Sequence, residues 1–301
     1  MRGPHRATMS REDTRKGVAY GIAAYGMWGL VPIYFKAVMA VPALEVLAHR
    51  VVWSVLMLVP LVVIQGKLPE GLRALRDRKT LAVLVLTTVL IATNWFLFIW
   101  AVATDRILEA SLGYFINPLV NVVLGVLFLG ERLSRPAAIA VVLAGIGVAI
   151  QVVMIGSLPW IALTLALSFG FYGLLRKTAD VGSVVGLTIE TSLLMPVALI
   201  YLVWAKKTGG LYLGTGDLGR DALLVLAGVV TALPLLCFTS AARRLPLATL
   251  GFLQYLAPSG HFLLAVLIYG EPLSAAHLVT FGCIWIALVV FTADQVRKAR
   301  T

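Results

Sequence analysis

Apolar residues along this chain fall into long runs separated by short polar breaks. A helix needs about 20 largely apolar residues to cross the hydrocarbon core of a bilayer. Ten runs of that kind occur, at roughly 17–38, 43–65, 80–103, 107–129, 135–155, 158–176, 183–204, 221–242, 246–269 and 273–293. Most connections are a handful of residues. The longest, 66–79 and 205–220, are too short for a folded extramembrane domain. The pattern predicts an all-α integral membrane protein of ten transmembrane helices, with its function inside the membrane.

Composition supports the same class. The chain is 60% hydrophobic and 13% charged, with a mean hydropathy of +0.95. Soluble domains are roughly 45–50% apolar and about 25% charged. A 301-residue soluble fold could not hide this much apolar surface. The net charge of +11 does not point to nucleic acid, because there is no soluble basic domain to bind it. The basic residues mark orientation instead. With the N-terminus inside, nineteen Lys and Arg fall in inner segments and four (Arg106, Lys206, Lys207, Arg220) in outer loops, leaving Lys36 and Arg50 within spans. Basic residues favour the cytoplasmic side, so both termini are expected there, in the inner (plasma) membrane. Cys237 and Cys283 lie in apolar runs and read as core thiols. The basic start MRGPHRATMSREDTRKG has no small-residue cleavage site before the first run, so that run is expected to be a retained span.

The chain repeats itself. Ala103, Arg106, Ala110, Leu112 and Gly113 match Ala241, Arg244, Ala248, Leu250 and Gly251 at an offset of 138. Pro118, Gly130, Glu131, Leu133 and Ser134 match Pro258, Gly270, Glu271, Leu273 and Ser274 at 140. GMWG at 26–29 resembles GFYG at 170–173. Each unit has five spans, an odd number, so the second copy enters the membrane inverted. The expected organisation is a cytoplasmic tail (1–16), a first repeat (17–155), a second repeat (156–293) and a cytoplasmic tail (294–301). Inverted repeats are the signature of alternating-access transporters with a midplane site.

Ions within a span cost roughly 2.5–3.5 kcal/mol on insertion scales, so those present need a reason. Glu45 and His49 are four apart and share a helix face, whereas Arg50 points about 140° from Glu45. One reading is a water-facing gating or proton-coupling cluster with His49 titrating. The other is structural: Glu45 favours the helix N-terminus after Pro42 and pairs with Arg50 or Lys36, while Arg50 snorkels to the outer mouth. Glu190, in the matching place on the seventh span, and Glu109, which opens the fourth, join the gating candidates; Glu109 is equally a rim residue. Asn94, Trp95, Asn117 and Asn121 sit mid-span, as do Pro118 and its repeat-mate Pro258, with Gln254, Tyr255 and His261 close by. Paired breaks in corresponding helices point to a transporter's site. The plainer reading is a kink with interhelical hydrogen bonds of roughly 0.6 kcal/mol each. Trp28, Tyr114 and Tyr172 are candidate solute contacts, and the glycines flanking Trp28 and Tyr172 would also let helices approach closely.

WGLVPIYFK (28–36), VPALEVLAHRVVWS (41–54), TNWFLFIWAV (93–102) and EASLGYFINPLVNVVLG (109–125) together resemble the RarD proteins, of the EamA group in the drug/metabolite transporter superfamily. The resemblance runs from about Lys16 to Phe291. It implies a ten-helix inner-membrane permease of chloramphenicol-sensitivity or -resistance type, with a cavity between spans 1, 3, 4, 6, 8 and 9. Where the family often has Asn after WAV, this chain has Ala103, so a hydrogen-bonding role there does not carry over. The expected function is secondary transport of small organic solutes, with protons as a candidate coupling ion and no cofactor or metal. No phosphate-binding G-x-x-x-x-G-K-[ST] loop is present to use ATP. A non-transporting scaffold and an intramembrane enzyme built on His49 and Glu45 are the alternatives. The enzyme lacks a nucleophile or metal pair at useful spacing.

Overall fold

The computed structural model describes residues 11–129, 134–242, 244–245 and 253–300. The described residues are helical almost throughout, with no strand among them. The helices are α1 (Arg11–Ala37), α2 (Ala43–Ile64), α3 (Leu68–Arg76), α4 (Arg78–Ala103), α5 (Ile107–Leu129), α6 (Arg135–Ile155), α7 (Trp160–Thr178), α8 (Ser183–Lys207), α9 (Leu218–Ala242), α10 (Leu256–Leu263) and α11 (Ala275–Arg300). Eight are long and apolar enough to cross a bilayer; Trp160–Arg176 and Leu256–Ile268 are shorter apolar helices. The repeat matches at Gly130, Glu131, Leu133, Ala248, Leu250 and Gly251 lie outside the described residues. Both expected tails carry helix, because α1 begins at Arg11 and α11 reaches Arg300.

Local chemistry sets the helix ends. Asp77 accepts from the Thr80 backbone N–H at 2.9 Å and its hydroxyl at 2.6 Å, capping α4. These two bonds hold the Asp77 carboxyl below the usual range. Ser134 caps α6, Pro136 occupies its first turn, and Gly156 closes it in the left-handed conformation with φ 73°. The 66–79 connection carries α3, whose Glu70 accepts from the Gly182 N–H at 2.7 Å and ties it to the start of α8. Prolines sit inside five of the long helices, at Pro32, Pro60, Pro118, Pro196 and Pro234. The expected pair of breaks is therefore not a pair. α5 runs unbroken through Pro118, while the chain at Pro258 turns at Tyr255, forms α10 and ends in a π-turn over Leu264–Ile268. One proline removes a single ladder bond, which a packed helix tolerates.

Packing follows a rule of exchange. α1 packs on α9 and α10, and α7 packs on α4 and α5. α2 packs on α9, and α8 on α4. α2 meets α8, α5 meets α10, and α6 lies along α11. Swapping the first five spans for the second five maps these contacts onto one another. The main contacts also cross between the two halves of the chain, which are interleaved. Two groups emerge, α1/α2/α9/α10 and α4/α5/α7/α8, with α6 and α11 together to one side. Large apolar side chains such as Ile64, Val153 and Val289 are exposed on the outside, as a lipid-facing belt requires.

Close helix approach depends on a few glycines. A Cβ on Gly113 of α5 would lie 2.7 Å from the Ala162 carbonyl oxygen of α7, and one on Gly260 would lie 2.9 Å from the Gly29 Cα. Of the flanking glycines, Gly29 and Gly170 make close contacts; Gly26 and Gly173 face open space. Gly113→Val forces α5 off α7. It should destabilise the protein by about 1–3 kcal/mol, read as a lower melting temperature in detergent, while Gly173→Ala leaves melting unchanged.

Candidate functional site between the helix groups

Polar side chains in the bundle lie in three layers. The middle layer holds most of the sequence candidates. Asn94 of α4 donates to the Leu165 carbonyl and the Ser168 hydroxyl of α7, both at 3.0 Å, and accepts from the Tyr114 hydroxyl of α5 at 3.1 Å. Asn117 donates to the Ala166 carbonyl at 3.1 Å and accepts from Asn121 at 3.0 Å. Buried Ser111 donates to the Pro258 carbonyl at 2.8 Å, joining α5 to α10. His261 meets the Trp28 carbonyl through Nε2 at 2.9 Å. A carbonyl only accepts, so Nε2 carries the proton there. The His261 ring sits 5.1 Å from Phe98 and 5.8 Å from Tyr114 between centroids.

Arg50 belongs to this layer too. Its guanidinium lies 4.1 Å from the centre of the Trp95 ring, and its Nε donates to Thr231 of α9 at 2.8 Å. It neither snorkels to the outer mouth nor pairs with Glu45, because Trp95 and Thr231 draw it between the two helix groups. The Trp28 ring packs elsewhere, against Tyr25 and Phe238. Tyr255 stacks on Phe115 in the apolar core, and Gln254 is half-buried just before it.

A second layer lies toward the end of the bundle where α1 starts and α11 finishes. There Glu190 is fully buried; it accepts from Thr87 at 2.7 Å and Tyr172 at 3.1 Å and lies 3.6 Å from Arg176. Tyr172 is thus a partner of Glu190. A cleft of about 640 Å³ opens at this end, lined by Asp13, Gln65, Lys67, Ser240 and Arg244 among others.

The third layer closes the opposite end. Lys36 of α1 pairs with Asp105 in the α4–α5 turn. Lys36 therefore does not pair with Glu45, whose Oε1 instead accepts from the Tyr212 N–H at 2.9 Å. Glu45 also lies 3.7 Å from the ring of His49, and both are buried. Glu109 is half-buried beside Arg106, at 3.6 Å, as a rim residue would be. Glu271 crosses from the loop after α10 to accept from the Ile107 and Leu108 N–H groups at 2.7 and 2.8 Å. These are orphan amides at the start of α5, where a carboxylate also meets the positive end of the helix dipole. Burial raises the Glu271 carboxyl above its ordinary range, and the two amides oppose that rise.

Comparison with known proteins identifies the arrangement. Residues 15–153 match the model of the EamA-like transporter family. Protein RarD of Escherichia coli K12 is 49% identical over 292 residues, covering 97% of this chain and 99% of that one. The chain belongs to the EamA-like transporter family. A Vibrio cholerae relative described as an uncharacterized transporter is also 49% identical, covering 96% of each chain. The chloramphenicol-sensitive protein RarD of Pseudomonas aeruginosa is 34% identical, over 95% of this chain and 96% of that protein. A solved crystal structure shares the fold, with a TM-score of 0.58 at 20% identity over 92% of this chain and 96% of that one. This EamA-like chain is a multi-pass membrane protein, and its transporter-named relatives point to transport in place of catalysis.

Reading the sequence missed several polar partners in this EamA-like protein: Thr87, Ser111, Ser168, Thr231, Arg176 and Glu271. Isolated hydroxyls in apolar runs carry no signal of their own. Glu271 had one, the Gly-Glu turn shared by both repeats. Glu271→Ala leaves two buried amides without an acceptor. It should cost about 1–3 kcal/mol, seen as a fall in melting temperature in detergent, with Glu271→Gln falling less because one oxygen remains.

Proposed function

We propose that this EamA-like chain is a secondary transporter that moves small organic solutes across the cytoplasmic membrane by alternating access. On this reading it has ten crossings, two inverted five-span repeats and both termini inside. The observation that carries the proposal is the difference between the two ends of the bundle. One end is tied shut across the two helix groups by Lys36–Asp105 and by Glu271 on the α5 amides. The other holds a cleft lined by Gln65, Lys67 and Arg244. A polar layer unusual for a membrane interior lies between them. That is the form of a transporter closed to the outside.

Because the chain halves interleave, the units that rock are taken to be α1/α2/α9/α10 and α4/α5/α7/α8. Breaking Lys36–Asp105 and Glu271–α5 while narrowing the inner cleft would expose the middle layer to the outer side. Glu45 and His49 are the candidate proton-coupling pair, since both are buried and 3.7 Å apart beside the outer closure.

Proteoliposomes loaded with a broad panel of metabolites and drugs, chloramphenicol included, test the reading. At least one solute should exchange faster than in empty vesicles; no movement of any, with or without a pH step, would refute it. Glu45→Gln and His49→Ala should each abolish the response to the pH step while leaving solute exchange measurable. Orientation has its own check. In a background without Cys237 and Cys283, Thr215→Cys should react with an impermeant maleimide in intact cells and Glu70→Cys should not.

A further inference from the structure

Arg50 is a half-buried cation within a span that has no carboxylate partner among the described residues. Three other basic side chains each meet a carboxylate: Lys36 meets Asp105, Arg106 meets Glu109, and Arg176 meets Glu190. Among the described residues, no carboxylate lies within ion-pair distance of Arg50. Of its nitrogens, only Nε has a hydrogen-bond partner among them, the Thr231 hydroxyl. Trp95 lies under the guanidinium at 4.1 Å and Phe35 at 5.9 Å, and Tyr34 and Tyr114 are within electrostatic reach.

An aromatic face offsets part of the cost of a desolvated cation. It leaves the guanidinium's paired donors unused, and that fork matches a carboxylate in two parallel bonds. One turn along α2, on the same face, the fully buried Ser54 hydroxyl has no hydrogen-bond partner. Two incompletely satisfied polar groups therefore share one stripe of α2. A charge held in a membrane interior without a protein counter-ion marks a solute path.

We propose that the solute is an organic anion whose carboxylate docks on the Arg50 guanidinium and whose apolar body lies against Trp95 and Tyr114. This rests on the transport reading and narrows its substrate class. Neutrality in the site is then completed by the cargo. With the anion bound, the guanidinium's terminal nitrogens gain acceptors. Without it, the cation keeps only the Trp95 face and Thr231.

Binding and movement are measured separately on the purified full-length chain. Binding is read as thermal stabilisation in detergent by a series of carboxylates from acetate and succinate to benzoate and phenylacetate, each beside its uncharged amide. At least one carboxylate should raise the melting temperature where its amide does not. Arg50→Met should weaken that carboxylate at least about tenfold, and Arg50→Lys should weaken it less. Trp95→Leu, which keeps the charge, should weaken phenylacetate more than acetate and gives a second test where Arg50→Met fails to fold. The proposal is overturned if amides stabilise as well as acids, or if Arg50→Met binds the acids unchanged. Counterflow of the stabilising acid in proteoliposomes is then followed. Binding that obeys these rules without counterflow would sink the transport reading alone; counterflow that prefers the amides would sink the anion alone.

Discussion

Hydrocarbon offers no hydrogen bonds, and this constraint shapes the protein more than any single contact. A helix satisfies its own backbone, which is why the described spans are helical. Side chains and helix ends must find partners in the protein. Thr88, Thr188, Thr191 and Thr231 give their hydroxyl protons to carbonyls of their own helices. Asn94 and Asn117 reach across to carbonyls on α7. Each such bond is worth little, roughly 0.6 kcal/mol. Their value is in selecting which helices meet and at what height, because a polar group placed elsewhere would face lipid.

The same constraint links closure to helix ends. The first amides of α5 have no partners within their own helix, and the fold supplies one from the other helix group. A capping bond made between the two groups also ties them together, since separating them would uncover those amides. Uncovering them costs least where water can reach them, at an end of the bundle and not at its middle. The ties through Glu271, Lys36 and Asp105 accordingly lie at one end.

The helices were legible in the sequence because each span's apolar length encodes it directly. Among the described residues eight predicted spans have a counterpart long and apolar enough to cross a bilayer, and two shorter apolar helices lie within 158–176 and 246–269. The interleaving was not legible. Residue spacing fixes which side chains share a face but not which helix that face meets, so it leaves open a snorkelling Arg50 and a pairing of Glu45 with Arg50 or Lys36, where the fold instead gives Arg50 Trp95 and Thr231 and gives Lys36 Asp105. The middle layer was half legible: Asn94, Asn117 and His261 stand out in apolar runs, whereas Ser111, Ser168 and Thr231 do not. The pairing of Glu45 with Glu190 as counterparts was also misplaced. Glu190 is the eighth residue of α8, and the eighth residue of α2 is Arg50.

That correspondence bears on how a symmetric backbone can hold an asymmetric site. Two helices in equivalent places each carry a charge as their eighth residue, and the charges are opposite. The anion on α8 is fully provided for, with Arg176, Thr87 and Tyr172 around it. The cation on α2 has an aromatic face and one hydroxyl. Duplication supplies two sites of the same shape. Satisfying one internally turns it into a structural fastening, and the other is left incomplete. The helix that carries the incomplete charge also carries Glu45 and His49 two turns or less away, toward the end tied by Lys36 and Asp105. A single rigid element, α2, thus links Arg50 to that end without a relay between helices.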